Sequence, residues 1–247
     1  MPPIGWHVAV AKETLARLDI ESIEEHLACY LLGATSPDIR VLTRQPREET
    51  HFYDLRDEHC LSGIPKLLEV HPHLLQVNGR AKAFLAGYIT HLATDELWIE
   101  QVYRPFFGKG TTTLSRTEAD VMDRVLQFYL DRAERLDRDR FKMFYDYVLS
   151  ADPGEEVGFI EAPTMRQWRE VVCRILDQDP SWENFKSFTL RRFSNSAIET
   201  EEQVKTLFES LPQVLERTIT YVSPERVASF KEDAIQSSQK AVREHLS

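Results

Sequence analysis

The sequence predicts an all-α fold, a multi-helix bundle carrying a C-terminal helical extension. Three features carry that expectation. Apolar residues recur at helical spacing in one segment after another, no segment sustains the apolar–polar alternation of a half-buried strand, and glycine, proline and capping residues punctuate the helical stretches. Apolar residues make up 42% of the 247-residue chain and charged residues 28%, the balance of an ordinary soluble globular protein.

Taken in order, helical spacing first runs from Val8 to Leu18 and breaks at Asp19. A second helix, from about Ser22, carries Ile23, Leu27, Tyr30 and Leu31 and stops at Gly33, a residue suited to a helix C-terminus. Residues 34–65 hold Pro37, Pro46 and Pro65 among dense polar residues. An irregular stretch of about thirty residues is too long for a passive connection, so a functional loop is expected. The longest apolar helix is predicted from Gly79 to about Tyr103, ended by Pro105 and followed by a link over 108–113. Ser115-Arg-Thr-Glu118 is a capping box that opens the next helix, which runs through Val121, Val125 and Phe128 into the charged stretch 132–140. Asp152–Glu156 reads as a turn. Further helices are expected at Thr164–Leu176, near Trp182–Phe188, at Glu201–Tyr221 with a kink at Pro212, and from Ser223 to the C-terminus. Residues 1–130 read as a core and 131–247 as a helical extension packed on it. No long flexible linker divides them, and aromatics such as Phe141, Phe144 and Trp168 need burial.

The net charge of −10 argues against a nucleic-acid duplex as partner, because such affinity rests on Lys and Arg neutralising phosphates. Arg40, Arg44 and Arg47 form a small basic group in the 34–65 loop, suited to a single phosphate or simply to solvent. No apolar run is long enough to span a bilayer and no basic-then-apolar leader is visible, so the expected compartment is the cytoplasm. Cys29, Cys60 and Cys173 are too few and scattered for a disulfide framework or a cysteine zinc site; burial as small apolar groups is the expectation.

The most informative stretch is Ala86–Trp98. His91 and Asp95 lie four positions apart, so a helix projects imidazole and carboxylate from one face. Both are ordinary ligands of a divalent metal, and Phe84, Leu85, Tyr88, Ile89 and Leu92 carry them into an interior where an unpartnered carboxylate is costly. A buried hydrogen-bonded pair without a metal is the alternative. His7 at the start of the first helix, Asp38 after Pro37, and His51 in the long loop add three more ligand-type side chains from separate segments. Imidazole and carboxylate also suit iron, and these residues alone do not choose the ion.

Gly33-Ala-x-x-Pro-Asp38, then His51, then Gly87-Tyr-x-x-His91-x-x-x-Asp95-Glu-Leu-Trp98 resembles the zinc-dependent phospholipase C family, whose all-helical fold is shared with single-strand-specific zinc nucleases. The resemblance covers roughly the first half of the chain. It implies one zinc held by Asp38, His51, His91 and Asp95, and a neighbouring zinc held by His7 with Asp95 as a bridge. In the phospholipases the free amino group of the mature chain also binds that neighbouring ion; here five residues precede Trp6. The family's further zinc uses two His and one Glu after the helical His-x-x-x-Asp, but the only histidine after Asp95 here is His245. That site is therefore missing or rebuilt from oxygen ligands, for which Asp120 and Asp123, expected on one helix face, are candidates as ligands or supporting residues.

The expected function is a metal-dependent hydrolase of phosphate esters with one or two zinc ions, manganese or iron being alternatives. Asp38 would bind metal and orient or deprotonate the attacking water, and Arg40 or Arg44 would hold the phosphate of a small ester or phospholipid head group. The second reading is a non-catalytic binding protein that keeps a structural metal on the same scaffold. Oligomeric state is not legible.

Overall fold

The computed structural model describes residues 2–55, 63–110, 113–154, 157–184 and 209–246. Eleven α-helices are used here as landmarks: α1 Ile4–Leu15, α2 Glu21–Glu24, α3 Leu27–Gly33, α4 Arg40–Thr43, α5 Gly63–Val70, α6 Gly79–Trp98, α7 Arg116–Arg135, α8 Arg138–Ser150, α9 Ala162–Asp177, α10 Leu211–Val222 and α11 Pro224–Leu246. No strand occurs among the described residues, and no helix among them is long and apolar enough to cross a membrane. Cys60, Phe185, Phe188, Phe193 and the helix expected near Trp182–Phe188 lie largely or wholly outside the described residues, as does the start of the one expected from Glu201.

α6 is the central element. It is buried almost all round from Ala81 to Trp98, as befits a helix surrounded by others. α3 and α11 pack against it, and α1 runs beside both α6 and α11. The α3–α6 crossing is unusually close, and two glycines permit it. A Cβ on Gly33 would stand 2.0 Å from the Phe84 carbonyl oxygen, and one on Gly87 would stand 1.9 Å from that of Tyr30. Only hydrogen fits at either position.

Two main apolar clusters flank α1. One joins Val8 to Tyr30, Phe84 and Leu92 and extends to Phe141, Phe144, Trp168, Val172 and Val242. The other joins Trp6 to Trp98, Phe107, Met122 and Phe230. Each draws side chains from both sides of residue 130, so the two parts of the chain share their cores.

Several boundaries differ from the sequence reading. The helix expected from Ser22 to Gly33 is two, because His26 leaves helical geometry and its carbonyl begins α3 by accepting from Cys29 and Tyr30 at 2.9 and 3.1 Å. Pro105 does not end the long helix. After Trp98 the chain widens into a π-helix over Ile99–Phe107, a register that accommodates proline, and Gly108 ends it. Pro212 makes no kink, since it falls in the first turn of α10, where its missing N–H costs nothing. α5 was not foreseen; Pro65 lies in its first turn, and Ile64 and Leu67 face inward. The Ser115–Glu118 capping box forms as read.

Candidate metal centre

The ligand-type side chains arrive from four segments. His91 and Asp95 project from α6, one turn apart, both fully buried. His7 comes from the first turns of α1, whose N-terminus has no side-chain cap of its own. Asp131 of α7 supplies one, accepting the Trp6 amide at 2.8 Å while paired with Arg135 at 3.3 Å. The Trp6 backbone nitrogen is thereby committed inside a helix.

Asp38 sits in a 3₁₀ turn, Ser36–Ile39, that follows α3 directly. Thr35 fixes this turn: its hydroxyl donates to the Leu32 carbonyl at 2.8 Å and receives the Trp168 indole N–H at 3.1 Å. His51 is placed by Tyr88 of α6, whose hydroxyl donates to the Thr50 carbonyl.

These segments bring His7, Asp38 and His91 together in one group and His51, His91 and Asp95 in another; within each, the ligand atoms lie within 4.8 Å of one another. His51 Nε2 is 3.7 Å from Asp38 Oδ1 and 3.7 Å from Asp95 Oδ2. The His7 and His91 rings stack, 3.9 Å between centroids. Thus all five residues singled out in the sequence meet in one place.

The second nitrogens are spoken for. His91 Nδ1 donates to the Ala34 carbonyl at 2.9 Å, which fixes the proton there because a carbonyl only accepts. His51 Nδ1 lies 3.0 Å from the Thr50 hydroxyl, and His7 makes a hydrogen bond to the Pro2 backbone. Outward anchoring of this kind orients histidine ligands in metal sites. Facing inward, His7 Nε2, His51 Nε2, His91 Nε2, Asp38 Oδ1 and Asp95 Oδ1 are all buried without a hydrogen-bond partner. Buried polar atoms are normally satisfied, so five orphans aimed at one another call for a common partner. The donor set, imidazole nitrogen and carboxylate oxygen, fits a zinc-type divalent ion.

Electrostatics agree. Burial pushes the His7 pKa well below its ordinary value, helped by His91, and does the same at His51, helped by Arg47. Both histidines are thus held in the neutral form that binds metal. Burial raises Asp38. At Asp95 burial pulls the same way, but the Arg47 guanidinium and His51 overcome it and keep the carboxyl ionised.

Other expected residues fall elsewhere. Asp120 and Asp123 lie three positions apart on one side of α7 but differ in burial: Asp120 pairs with Arg116 near the surface, whereas Asp123 is buried and accepts from Trp98 Nε1 at 3.1 Å and Gln127 Nε2 at 2.7 Å. Both carboxylates have protein partners in this arrangement. Glu118 is used by the capping box and Arg217. Arg40, two residues after Asp38, is half-buried, and its charge reaches His51. Arg44 is exposed and closes α4 in a left-handed conformation. Arg47, grouped by sequence with Arg40 and Arg44 for a phosphate or for solvent, is instead buried against Asp95 and Tyr53. Its place four residues before His51 was the available signal.

An all-helical bundle closing over three histidines and two carboxylates has the donor set of a metal-binding protein. The zinc dependent phospholipase C family model matches residues 6–148, more than half of the chain, and the chain belongs to that family. The match continues past residue 130 to the end of α8, further than the motifs alone reached. No curated protein and no solved structure matches the chain.

Proposed function

We propose that this protein is a metal-dependent hydrolase of phosphate esters. The observation that carries the reading is the set of five orphaned, inward-facing atoms on His7, Asp38, His51, His91 and Asp95. A bound divalent ion supplies Lewis acidity and lowers the pKa of water to about 7. The chain's own residues do the rest. The three imidazoles, anchored at their outer nitrogens, present lone pairs without reorganisation. Asp38, the most exposed of the five at 6%, is the carboxylate a water can reach, and burial makes it a better proton acceptor than a free aspartate. Arg40, two residues after it, is the cation we assign to the substrate phosphate, with the exposed Arg44 as the other candidate.

A second reading has its own support. Five protein ligand atoms, none on a residue more than 6% exposed, nearly close a coordination shell, and closed shells are typical of structural metals. The protein would then be a non-catalytic binding module, with the ion contributing to folding.

One screen separates the two. Phosphomonoesters, phosphodiesters and phospholipids are offered to the protein loaded separately with zinc, manganese and iron. Metal-dependent release of phosphate or head group, abolished in Asp38→Asn with metal content retained, supports the hydrolase. Full metal content with no turnover of any of the three classes contradicts it and favours the structural metal.

A further inference from the structure

Arg47 gives the centre a fixed positive charge of its own. Its guanidinium donates to Asp95 Oδ2 and to the Tyr53 hydroxyl oxygen; Tyr53 in turn donates to the same Oδ2 at 2.6 Å. The guanidinium carbon lies 4.8 Å from the Tyr53 ring centroid, so the cation is also held against an aromatic ring. Arg47 and Asp95 are buried, with 8% and 0% of their side chains exposed. This is a built ion pair, not a passing surface contact.

Two consequences follow for the number of metal ions. A carboxylate bridging two ions usually offers one oxygen to each, but Asp95 Oδ2 is taken and only Oδ1 is without a partner. Moreover, both potential ligand groups contain His91, which has one free nitrogen because Nδ1 is committed to Ala34. The groups therefore converge on one position instead of defining two. A second dication beside Asp95 would also be repelled by the guanidinium at close range in a poorly screened interior.

We infer that the centre holds a single divalent ion and that Arg47 takes the place beside Asp95 that a second ion would otherwise occupy. The inference rests on the metal-centre reading above. Arg47 is then a positioning residue: it fixes which oxygen Asp95 turns to the ion and sets the stoichiometry. It also contributes, without a second metal, a positive charge to the site where a phosphate ester would develop negative charge.

The test is zinc stoichiometry on the full chain, by calorimetric titration of metal-free protein with zinc alone and by elemental analysis after removal of unbound ion. The wild type should take up one equivalent. Arg47→Met, similar in length but uncharged, should take up two, and Arg47→Lys should remain at one. Circular dichroism establishes that each variant is folded, and Arg47→Gln serves as the neutral variant if Arg47→Met is not. Two equivalents in the wild type overturn the inference while leaving the metal centre intact. One equivalent in a folded neutral variant overturns the role of Arg47. No uptake by folded wild type removes the metal-centre reading itself.

Discussion

The His91 imidazole hangs from the Ala34 carbonyl, 2.9 Å from Nδ1, so the end of α3 sets the orientation of a ligand on α6. The hydrogen bond exists because the two helices approach to backbone contact at Gly33 and Gly87. Helix packing and metal geometry are therefore one problem at this crossing.

Gly87→Ala should accordingly damage both stability and metal binding. The added carbon must push α3 away from α6 or distort one of them, with an expected cost of about 1–3 kcal/mol or more, as in overpacked cores. Denaturant unfolding measures the first effect, and zinc titration of the folded variant measures the second. Wild-type zinc affinity in a strongly destabilised Gly87→Ala protein would uncouple the crossing from the site.

Loss of Asp95 should be more damaging than loss of His7. Asp95→Ala strands the buried Arg47 charge, and breaking a buried pair typically costs about 3–5 kcal/mol. His7→Ala leaves a cavity beside His91 but strands no charge, so the metal-free protein should lose less than with Asp95→Ala. Thermal unfolding without metal should rank the variants in that order, and Asp95→Asn combined with Arg47→Met should recover part of the loss. Equal destabilisation by the two single alanine variants would argue that the Arg47–Asp95 pair carries little energy.

The pH dependence contains opposing parts. His7 and His51 titrate below the ordinary 6.5 when folded, so in the interval below 6.5 the unfolded chain binds protons the fold refuses. Stability there rises with pH and is lost on acidification below about 6.5. Glu96, which accepts the Gly63 amide at 3.1 Å, is pushed up by burial to about 8 from 4.5. Between those values the folded state binds the extra proton, so its contribution is present at acid pH and lost as pH rises through about 8. Melting temperature of metal-free protein should fall on acidification below about 6.5 and also decline as pH rises from there to about 8, and Glu96→Gln should remove that alkaline limb. An unchanged alkaline limb in Glu96→Gln would refute that assignment. Because the buried histidines stay neutral below 6.5, metal should be retained to a lower pH than free histidine would allow.

The C-terminal part should affect the centre without supplying a ligand. Trp168 of α9 donates to Thr35, three residues before Asp38. Trp168→Phe keeps most of the apolar contact and removes that hydrogen bond, for an expected loss of about 1 kcal/mol together with weaker zinc binding. The shared apolar core also predicts a single cooperative melt for residues 1–247. Two separated transitions would instead mark residues 131–247 as an independent unit.

What was legible in the sequence had a local physical cause. His91 and Asp95 could be placed on one face because helical periodicity is rigid, and the Ser115–Glu118 box could be read because its two hydrogen bonds are local. The convergence of His7, Asp38 and His51 was expected from resemblance rather than derived, since no periodicity governs where turns and loops meet a helix. Arg47 and Tyr53 were missed as parts of the site for that reason. Whether an arginine faces solvent or a carboxylate 48 residues away is decided by tertiary packing. Pro65, Pro105 and Pro212 misled because proline's effect depends on its position in the helix: a first turn tolerates it and a π-helix absorbs it. Asp120 and Asp123, read from spacing as candidate ligands or supporting residues, have ordinary protein partners that spacing does not reveal.

The most direct test of the metal centre is a crystal structure of zinc-loaded protein with anomalous data collected on both sides of the zinc edge. The account predicts an anomalous peak about 2.0–2.2 Å from His51 Nε2, His91 Nε2 and Asp95 Oδ1, with Asp38 and His7 turned toward it. Loaded crystals with no anomalous density among these residues, or with Asp38 and His51 drawn away from the His91–Asp95 face, would contradict it.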